Sequence, residues 1–293
     1  MKTIFSFFMS LVFISINVSA QNTVNFGSNK QAGKYADIND IKIYYEIYGN
    51  GEPLLLLHGN GGSIENFMFQ IPEFAKYFKV IAVDSRAQGR TSDSEKEISY
   101  ASMASDMAAL IDKLNLGSVY VVGWSDGGNI GLELAYAHPE KVKKLVTFGA
   151  NFTFENYIAA RDSVVMNPND PIIVQTKLFR QGYKDGAERL SPNPERLPLI
   201  KKKLADLTEK YPNFTPEQLG KIKTPTLVVA GDHDLINLNH TAKLFASLPH
   251  AELFVIPGAT HLAPVEQPDL VNSMVIKFLK APYRDIDGYY FFK

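Results

Sequence analysis

Apolar residues follow two patterns along this 293-residue chain: short continuous runs, and positions that recur at helical spacing. Runs rich in β-branched and other apolar side chains are typical of strands. Asn39-Asp40 and Asn50-Gly51, which separate the first three runs, indicate an antiparallel start. Further along, Met103, Met107 and Leu110 recur at helical spacing. The predicted strands cover residues 35–38, 41–48, 54–57, 80–83, 119–122, 144–148, 226–230 and 252–256. Strands that alternate with helices favour a mostly parallel sheet wrapped by helices, which is the α/β class.

A sharp turn from strand to helix is predicted directly after residues 119–122, where the sequence is Gly123-Trp124-Ser125-Asp126-Gly127. A turn of this G-x-S-x-G form exposes its central serine. Its glycines permit the positive φ angles and the close approach of strand and helix that the turn demands. Ser125 is therefore the candidate nucleophile.

An acid and a histidine follow the serine along the chain. The segment Gly231-Asp232-His233-Asp234 comes after the strand at 226–230, and His261 comes shortly after the strand at 252–256. Open α/β sheets place their active sites at such carboxyl ends of strands. His261 is expected to take the proton of Ser125 and return it to the leaving group, while Asp232 or Asp234 holds its tautomer.

Together with His58-Gly59 after the strand at 54–57 and Asp84-Ser85-Arg86 after the strand at 80–83, these motifs resemble the α/β-hydrolase superfamily. The resemblance covers the chain beyond residue 20. It implies a mostly parallel eight-stranded sheet with flanking helices and a helical cap, and it implies no cofactor. It also favours Asp234 over Asp232, because the superfamily's carboxylate usually ends the Gly-x-x-Asp segment. His58 is expected to support its loop, and His240 is expected at the surface.

The same resemblance places an oxyanion hole on two backbone N–H groups, those of Asn60 and Asp126. The run Gly59-Asn60-Gly61-Gly62 lets the backbone approach a substrate oxygen closely. Each backbone donor that points at the developing negative charge stabilises the transition state by roughly 3 kcal/mol.

The Asp126 side chain has two interpretations. The residues around the turn are similar to the elbow of the valacyclovir-hydrolase-like branch, which implies esters of α-amino acids whose ammonium group the Asp126 carboxylate would hold. Alternatively, this carboxylate stabilises the first turn of the following helix. Trp124 and Phe152 are further candidate substrate-binding residues.

Residues 152–220 contain no convincing strand and are too many for a bare loop, so a mostly helical cap is predicted there. Its first aromatic residues, Phe152, Phe154 and Tyr157, either face the site and exclude water or bury the cap against the core. The expected domains are a signal peptide at 1–20, a core at 21–151 and 221–293, and the cap between the two core parts.

Composition excludes several classes of partner. Thirty basic and thirty-one acidic residues nearly balance, and no basic stripe of the kind that nucleic-acid binding needs is present. The chain has no cysteine and hence no disulfide. Asp232, His233, Asp234 and His240 lack the spacing that marks zinc sites, so no catalytic metal is expected.

The first twenty residues predict a secretory signal peptide. Met1-Lys2 precedes an apolar stretch at 4–18, and Val18-Ser19-Ala20 is a small-residue cleavage pattern. Cleavage after Ala20 would give a secreted or periplasmic protein with no stable membrane insertion. The alternative is an uncleaved anchor.

The sequence therefore predicts an exported serine hydrolase that cleaves a carboxylic ester of a small substrate, with amides and thioesters as further candidates. Fold and triad leave open carbon–carbon bond hydrolysis, acyl transfer and perhydrolysis. A non-catalytic small-ligand-binding protein is also an alternative. The presence of Ser125, Asp234 and His261 argues against it, because binding alone requires no base beside a serine.

Overall fold

The computed structural model describes residues 25–155, 169–284 and 286. Within them the strands are β1 (Gly33–Ile38), β2 (Ile41–Tyr48), β3 (Glu52–Leu57), β4 (Phe78–Val83), β5 (Val119–Trp124), β6 (Val142–Phe148), β7 (Thr226–Gly231) and β8 (Ala251–Ile256). They form one eight-stranded sheet in the order β1-β2-β4-β3-β5-β6-β7-β8. Strand β2 pairs antiparallel with β1 and β4, and the remaining pairs are parallel. The predicted fold class is confirmed, while the predicted signal peptide and Tyr157 lie outside the described residues.

Strand β3 does not continue the antiparallel start that the sequence predicts. It lies between β4 and β5 and runs parallel to both. Its four leucines, Leu54–Leu57, have no exposed surface. Strands that are buried on both faces belong in the interior of a parallel sheet, where helices cover each side.

Helices cover both faces of the sheet, and the longest helix of the first half, α2, is buried along the predicted apolar stripe. Met103, Met107 and Leu110 in α2 are fully buried. None of the helices in the described part of the chain is both long and apolar enough for a membrane span. The helices are α1 (Ile71–Phe74), α2 (Tyr100–Lys113), α3 (Asp126–Ala137), α4 (Pro171–Leu190), α5 (Leu197–Lys210), α6 (Pro216–Leu219), α7 (Leu238–Ser247), α8 (Ala263–Glu266) and α9 (Pro268–Lys280), with short 3-10 helices at Ile64–Phe67, Pro139–Lys141 and Pro194–Arg196.

Helices α4, α5 and α6 lie between β6 and β7, in the region where the sequence predicts a cap. Ion pairs join these helices to loops of the core. Lys203 of α5 contacts both carboxylate oxygens of Asp93, at 3.0 and 3.1 Å, and Arg196 contacts the same carboxylate at 2.8 Å. The Asp93 side chain is only 1 % exposed. A buried charge needs such partners, so these contacts fix α5 on the core.

Candidate active site

The turn between β5 and α3 holds Ser125 in a backbone conformation with φ 56° and ψ −118°. Its N–H donates to the carbonyl oxygen of Phe148 at 2.7 Å. A Cβ atom at Gly123 would collide with the backbone of Gly127, and one at Gly127 would collide with the carbonyl oxygen of Leu57. Only glycine fits at these two positions, so the local sequence dictates a turn that presents Ser125 at the end of β5.

His261, on the loop after β8, is hydrogen-bonded through Nδ1 to Oδ1 of Asp234 at 2.7 Å. Asp234 lies after β7, is 3 % exposed, and also accepts the N–H of Ile236 at 2.9 Å. An ionised carboxylate only accepts, so Nδ1 carries the proton and Nε2 is left as an acceptor. Asp232 instead accepts the N–H of Gly258 at 2.8 Å and is 37 % exposed. Of the two candidate acids, Asp234 is the one beside the histidine.

Gly149, directly after β6, makes room for this acid–histidine pair. A Cβ atom at this position would lie 2.5 Å from Nδ1 of His261 and 3.1 Å from Oδ2 of Asp234. The residue also has φ +55°, a conformation that side chains disfavour. Gly149 is therefore required by both space and backbone conformation, and sequence reasoning did not single it out.

A cavity of about 190 Å³ brings together Ser125, His261, Asn60 and Trp124. The Trp124 indole N–H donates to the carbonyl oxygen of His261 at 2.9 Å, which ties the turn at Ser125 to the histidine loop. The candidate nucleophile, the candidate base and the predicted oxyanion loop thus meet at the carboxyl ends of the parallel strands.

Phe152 does not line this cavity. It is 9 % exposed, stacks on His240 with ring centroids 4.1 Å apart, and donates its N–H to Nε2 of that histidine at 3.1 Å. The prediction that His240 lies at the surface is wrong, because this residue is 7 % exposed and satisfies a buried N–H. Phe154 lines a separate surface cavity beside the same histidine.

The loop after β3 is held from several sides at Asn60. The Asn60 side chain donates to Oδ2 of Asp126 at 2.9 Å and to the carbonyl oxygen of Leu204 in α5 at 3.3 Å. The Tyr183 hydroxyl, from α4, donates to the carbonyl oxygen of Asn60. Asp126 is the first residue of α3, and N–H groups of a first helical turn have no intrahelical acceptor. The two predicted oxyanion donors therefore belong to residues that are themselves joined by a hydrogen bond.

Asp126 does not line the 190 Å³ cavity, and its carboxylate is hydrogen-bonded to Tyr100 and Asn60. Its Oδ1 accepts the Tyr100 hydroxyl at 2.8 Å, its Oδ2 accepts from Asn60, and the residue is 5 % exposed. Burial raises the pKa of Asp126, and these two hydrogen bonds oppose the rise. Asp126 lies in the first turn of α3, where the second interpretation places a stabilising carboxylate. The contact with a substrate ammonium group stays a prediction, and the carboxylate also positions Asn60.

His58 supports the same loop, as the sequence predicts. Its Nδ1–H donates to the carbonyl oxygen of Gly59 at 2.7 Å, and its Nε2 accepts the N–H of Ser85 at 3.0 Å. Complete burial lowers the pKa of His58 to about 4. The ring is neutral at physiological pH and links the loops after β3 and β4.

Two aromatic residues of α4 reach the site and were missed in the sequence. Phe179 stacks on Trp124 with ring centroids 5.6 Å apart, and Tyr183 lies one helical turn further on. Both line the cavity beside Ser125. Their spacing of four residues on a predicted cap was the available signal. Across the described residues, no cluster of three or more His, Asp or Glu side chains is arranged to hold a metal ion.

Comparison with known proteins agrees with this geometry. Residues 52–189 match a family model described as the alpha/beta hydrolase fold. A putative carbamate hydrolase of Azorhizobium caulinodans is 27 % identical over 83 % of this chain and 97 % of its own length. A putative esterase/lipase of Haemophilus influenzae is 26 % identical over 78 % and 84 % of the two chains. A meta-cleavage product hydrolase from Pseudomonas fluorescens superposes with a TM-score of 0.70 at 22 % identity, covering 85 % of this chain and 98 % of the other.

Proposed function

Because the chain belongs to the alpha/beta-hydrolase superfamily, we propose that it cleaves a carboxylic ester of a small substrate through an acyl-enzyme on Ser125. The observation that carries the proposal is the convergence of Ser125 and His261 on one cavity, with Asp234 hydrogen-bonded behind the histidine at 2.7 Å.

In the proposed reaction, the Ser125 oxygen attacks the ester carbonyl while Nε2 of His261 takes its proton. Asp234 stabilises the resulting imidazolium. The backbone N–H groups of Asn60 and Asp126 bind the oxyanion of the tetrahedral intermediate. His261 then protonates the departing alcohol, and water repeats the sequence on the acyl-enzyme to release the acid and restore Ser125.

The relatives support hydrolysis and leave the scissile bond to experiment. One curated relative is named a putative carbamate hydrolase and another a putative esterase/lipase. An ester is favoured as substrate because its alcohol leaves more readily than the amine of an amide, and His261 can act as the general acid that protonates it. A pure binding role is disfavoured, since binding would not require the buried Asp234 beside His261. We expect no preference for substrates with an ammonium group, because both oxygens of the Asp126 carboxylate already accept hydrogen bonds.

The decisive experiment is covalent labelling with a fluorophosphonate, followed by hydrolysis of 4-nitrophenyl acetate. We expect one label per chain on Ser125, and neither label nor turnover in Ser125→Ala. Turnover that survives in Ser125→Ala would overturn the proposed mechanism. Labelling without ester turnover would retain the nucleophile and reject the ester as substrate.

Export is proposed together with this activity and rests on the N-terminal pattern alone. The pattern predicts a mature chain that begins at Gln21. Intact-mass measurement of the protein isolated from its native cells tests it. A chain that retains residues 1–20 would contradict cleavage.

A further inference from the structure

A second and larger cavity adjoins the one that contains Ser125. Its volume is about 800 Å³, and it lies between the 3-10 helix Ile64–Phe67 and α4. Asn66, Phe179 and Tyr183 line both cavities, so the two are neighbouring parts of one cleft. Small-molecule sites usually measure about 300–1,000 Å³, a range that includes the larger cavity and excludes the 190 Å³ site taken alone.

Two glycines in the middle of α4 keep this cavity open. Gly182 and Gly186 are one turn apart and both line the cavity. A Cβ atom added at either position would meet no atom within 4 Å. Glycine weakens a helix interior, and neither of these glycines is required by a crowded neighbour. Their evident effect is to leave space on the face of α4 that lines the cavity.

The walls of this cavity are mainly apolar. The lining includes the apolar side chains of Phe26, Met68, Phe69 and Phe179. The two charged side chains, Arg189 and Glu65, bind each other through two hydrogen bonds of 2.8 and 2.6 Å. They therefore leave the cavity without net charge. Such a lining disfavours an ionic ligand and suits an uncharged apolar group.

One polar group is positioned where the two cavities meet. Asn66 is 5 % exposed, and its Oδ1 accepts the N–H of Ser63 at 2.9 Å. This bond fixes the orientation of the amide, and Asn66 lines both cavities. The amide nitrogen of Asn66 is a donor, so it suits a hydrogen-bond acceptor on a molecule bound there.

Asn25 and Phe26 form the outer wall of the cavity, and this segment is attached to the sheet by hydrogen bonds. Buried Glu46 accepts the N–H groups of Gly27 and Asn29 at 2.8 and 2.9 Å. Arg90 donates to the carbonyl oxygen of Gly27 at 2.8 Å. Phe26 packs edge-on against Tyr48 with ring centroids 5.2 Å apart. The wall is thus a fixed part of the cleft.

From these features we infer that the cleft binds an extended, uncharged apolar arm of the substrate, which passes between Asn66 and Phe179 and ends beside Gly182 and Gly186. This inference rests on the proposed ester hydrolysis. The arm belongs to either the acyl or the alcohol portion of the ester, and the two portions can be tested separately.

The kinetic test compares two series: 4-nitrophenyl esters from acetate to octanoate, and alkyl acetates from methyl to octyl. In one series, kcat/KM should rise with length by up to about fourfold for each buried methylene. Gly186→Leu and Gly182→Leu should each lower kcat/KM for the octyl or octanoyl ester at least tenfold. For 4-nitrophenyl acetate, kcat/KM should stay within twofold of the unmodified protein. Lys177→Leu is the matched control, because Lys177 is an exposed residue of α4 that does not line the cavity. This variant should keep kcat/KM unchanged for both the long and the short esters. Equal losses on short and long members, or no loss, would overturn the inference.

A binding test separates this inference from the proposed function. Trp124 is the one tryptophan of the chain and stacks on Phe179. Octan-1-ol should therefore change the intrinsic fluorescence of Ser125→Ala in a saturable way, and adding Gly186→Leu should weaken that binding at least tenfold. Saturable binding without any ester turnover would reject only the ester as substrate. Turnover of 4-nitrophenyl acetate without octanol binding would reject only the apolar arm. Both glycine variants should fold, because leucine favours a helix and has open space here.

Discussion

The hydroxyl of Tyr183 donates a hydrogen bond to the carbonyl oxygen of Asn60, so α4 holds the peptide that follows a proposed oxyanion donor. The other end of that peptide, the N–H of Gly61, donates to Oε1 of Gln88 at 2.5 Å. Gly61 has φ +69°, and glycine backbone rotates easily unless it is restrained. The two hydrogen bonds, from Tyr183 of α4 and to Gln88, supply this restraint.

Tyr183→Phe should therefore lower kcat about tenfold, equivalent to about 1.4 kcal/mol of transition-state stabilisation, and change KM by less than threefold. The substitution removes the hydroxyl and keeps the ring that stacks near Phe179. Burial and the nearby Asp126 carboxylate raise the pKa of Tyr183 to about 12, so the hydroxyl is a neutral donor at assay pH. Steady-state kinetics on 4-nitrophenyl acetate checks the prediction. A change confined to KM would assign Tyr183 to substrate contact instead.

Gly149→Ala should abolish most activity, with kcat/KM falling about 100-fold, because the new methyl group would displace His261 from Asp234. Gly258→Ala is the matched control. Gly258 has a similar φ of +68°, but an added Cβ there meets no atom within 4 Å. Both variants should lose about 1–2 kcal/mol of stability to backbone strain, and only Gly149→Ala should lose turnover. Similar turnover in the two variants would show that strain, rather than displacement of the histidine, controls activity.

Asp234→Asn should reduce kcat by about 10³- to 10⁴-fold, since an amide opposite Nδ1 of His261 favours the wrong tautomer of that histidine. Asp232→Asn should stay within threefold of the unmodified protein, because an asparagine oxygen can still accept the N–H of Gly258. Measured kcat on one ester decides between the two carboxylates. The reverse order would place the catalytic acid at position 232.

Much of the fold could be predicted because its signals are local. Apolar runs and turn residues located the strands, and the glycines around Ser125 specified the turn without reference to the rest of the chain. The neighbours of each strand are non-local, which is why β3 was expected beside β2 and lies between β4 and β5. Strand burial on both faces was the available clue.

The roles of residues whose partners are distant in the chain could not be predicted from the sequence. His240 has an ordinary helical context, and nothing local reveals that the backbone N–H of Phe152 needs its ring nitrogen as an acceptor. Asp126 was expected to act on substrate or on its own helix. Its actual partners, Tyr100 and Asn60, are 26 and 66 residues away. Side-chain direction at these positions follows from tertiary packing and has no signature in the spacing.

Lys203→Met should lower the free energy of unfolding by about 2 kcal/mol. It leaves the buried Asp93 carboxylate with Arg196 as its remaining side-chain cation, and breaking a buried ion pair is costly. Lys202→Met is the control one residue away: Lys202 is 69 % exposed and pairs with Asp206 on its own helix, so the loss should stay below about 0.5 kcal/mol. Urea unfolding of the two variants provides the comparison. Equal losses would mean that the Asp93 contacts do not hold α5 on the core.

The last prediction concerns acid stability. Burial lowers the pKa of His240 to about 4, whereas an unfolded histidine titrates near 6.5. As the pH falls from about 6.5 to 4, the unfolded chain takes up a proton that the folded chain does not bind, so this residue's contribution to stability is present above pH 6.5 and lost below it. The contribution of His58 to stability also decreases as the pH falls, because burial lowers its pKa to about 4. The contribution of Asp84 increases as the pH falls, because burial raises its pKa to about 7.

His240→Gln isolates the contribution of one residue, because the glutamine oxygen can still accept the N–H of Phe152 while no longer titrating. At pH 7.5 the variant should have a lower free energy of unfolding than the unmodified protein. Between pH 7.5 and pH 4.5 the difference between the two proteins should change by about 2 kcal/mol in favour of the variant. Urea unfolding at the two pH values measures it. Parallel loss of stability in both proteins would mean that folded His240 takes up the proton as readily as an unfolded histidine, and that its ring is accessible to water despite the stacked Phe152.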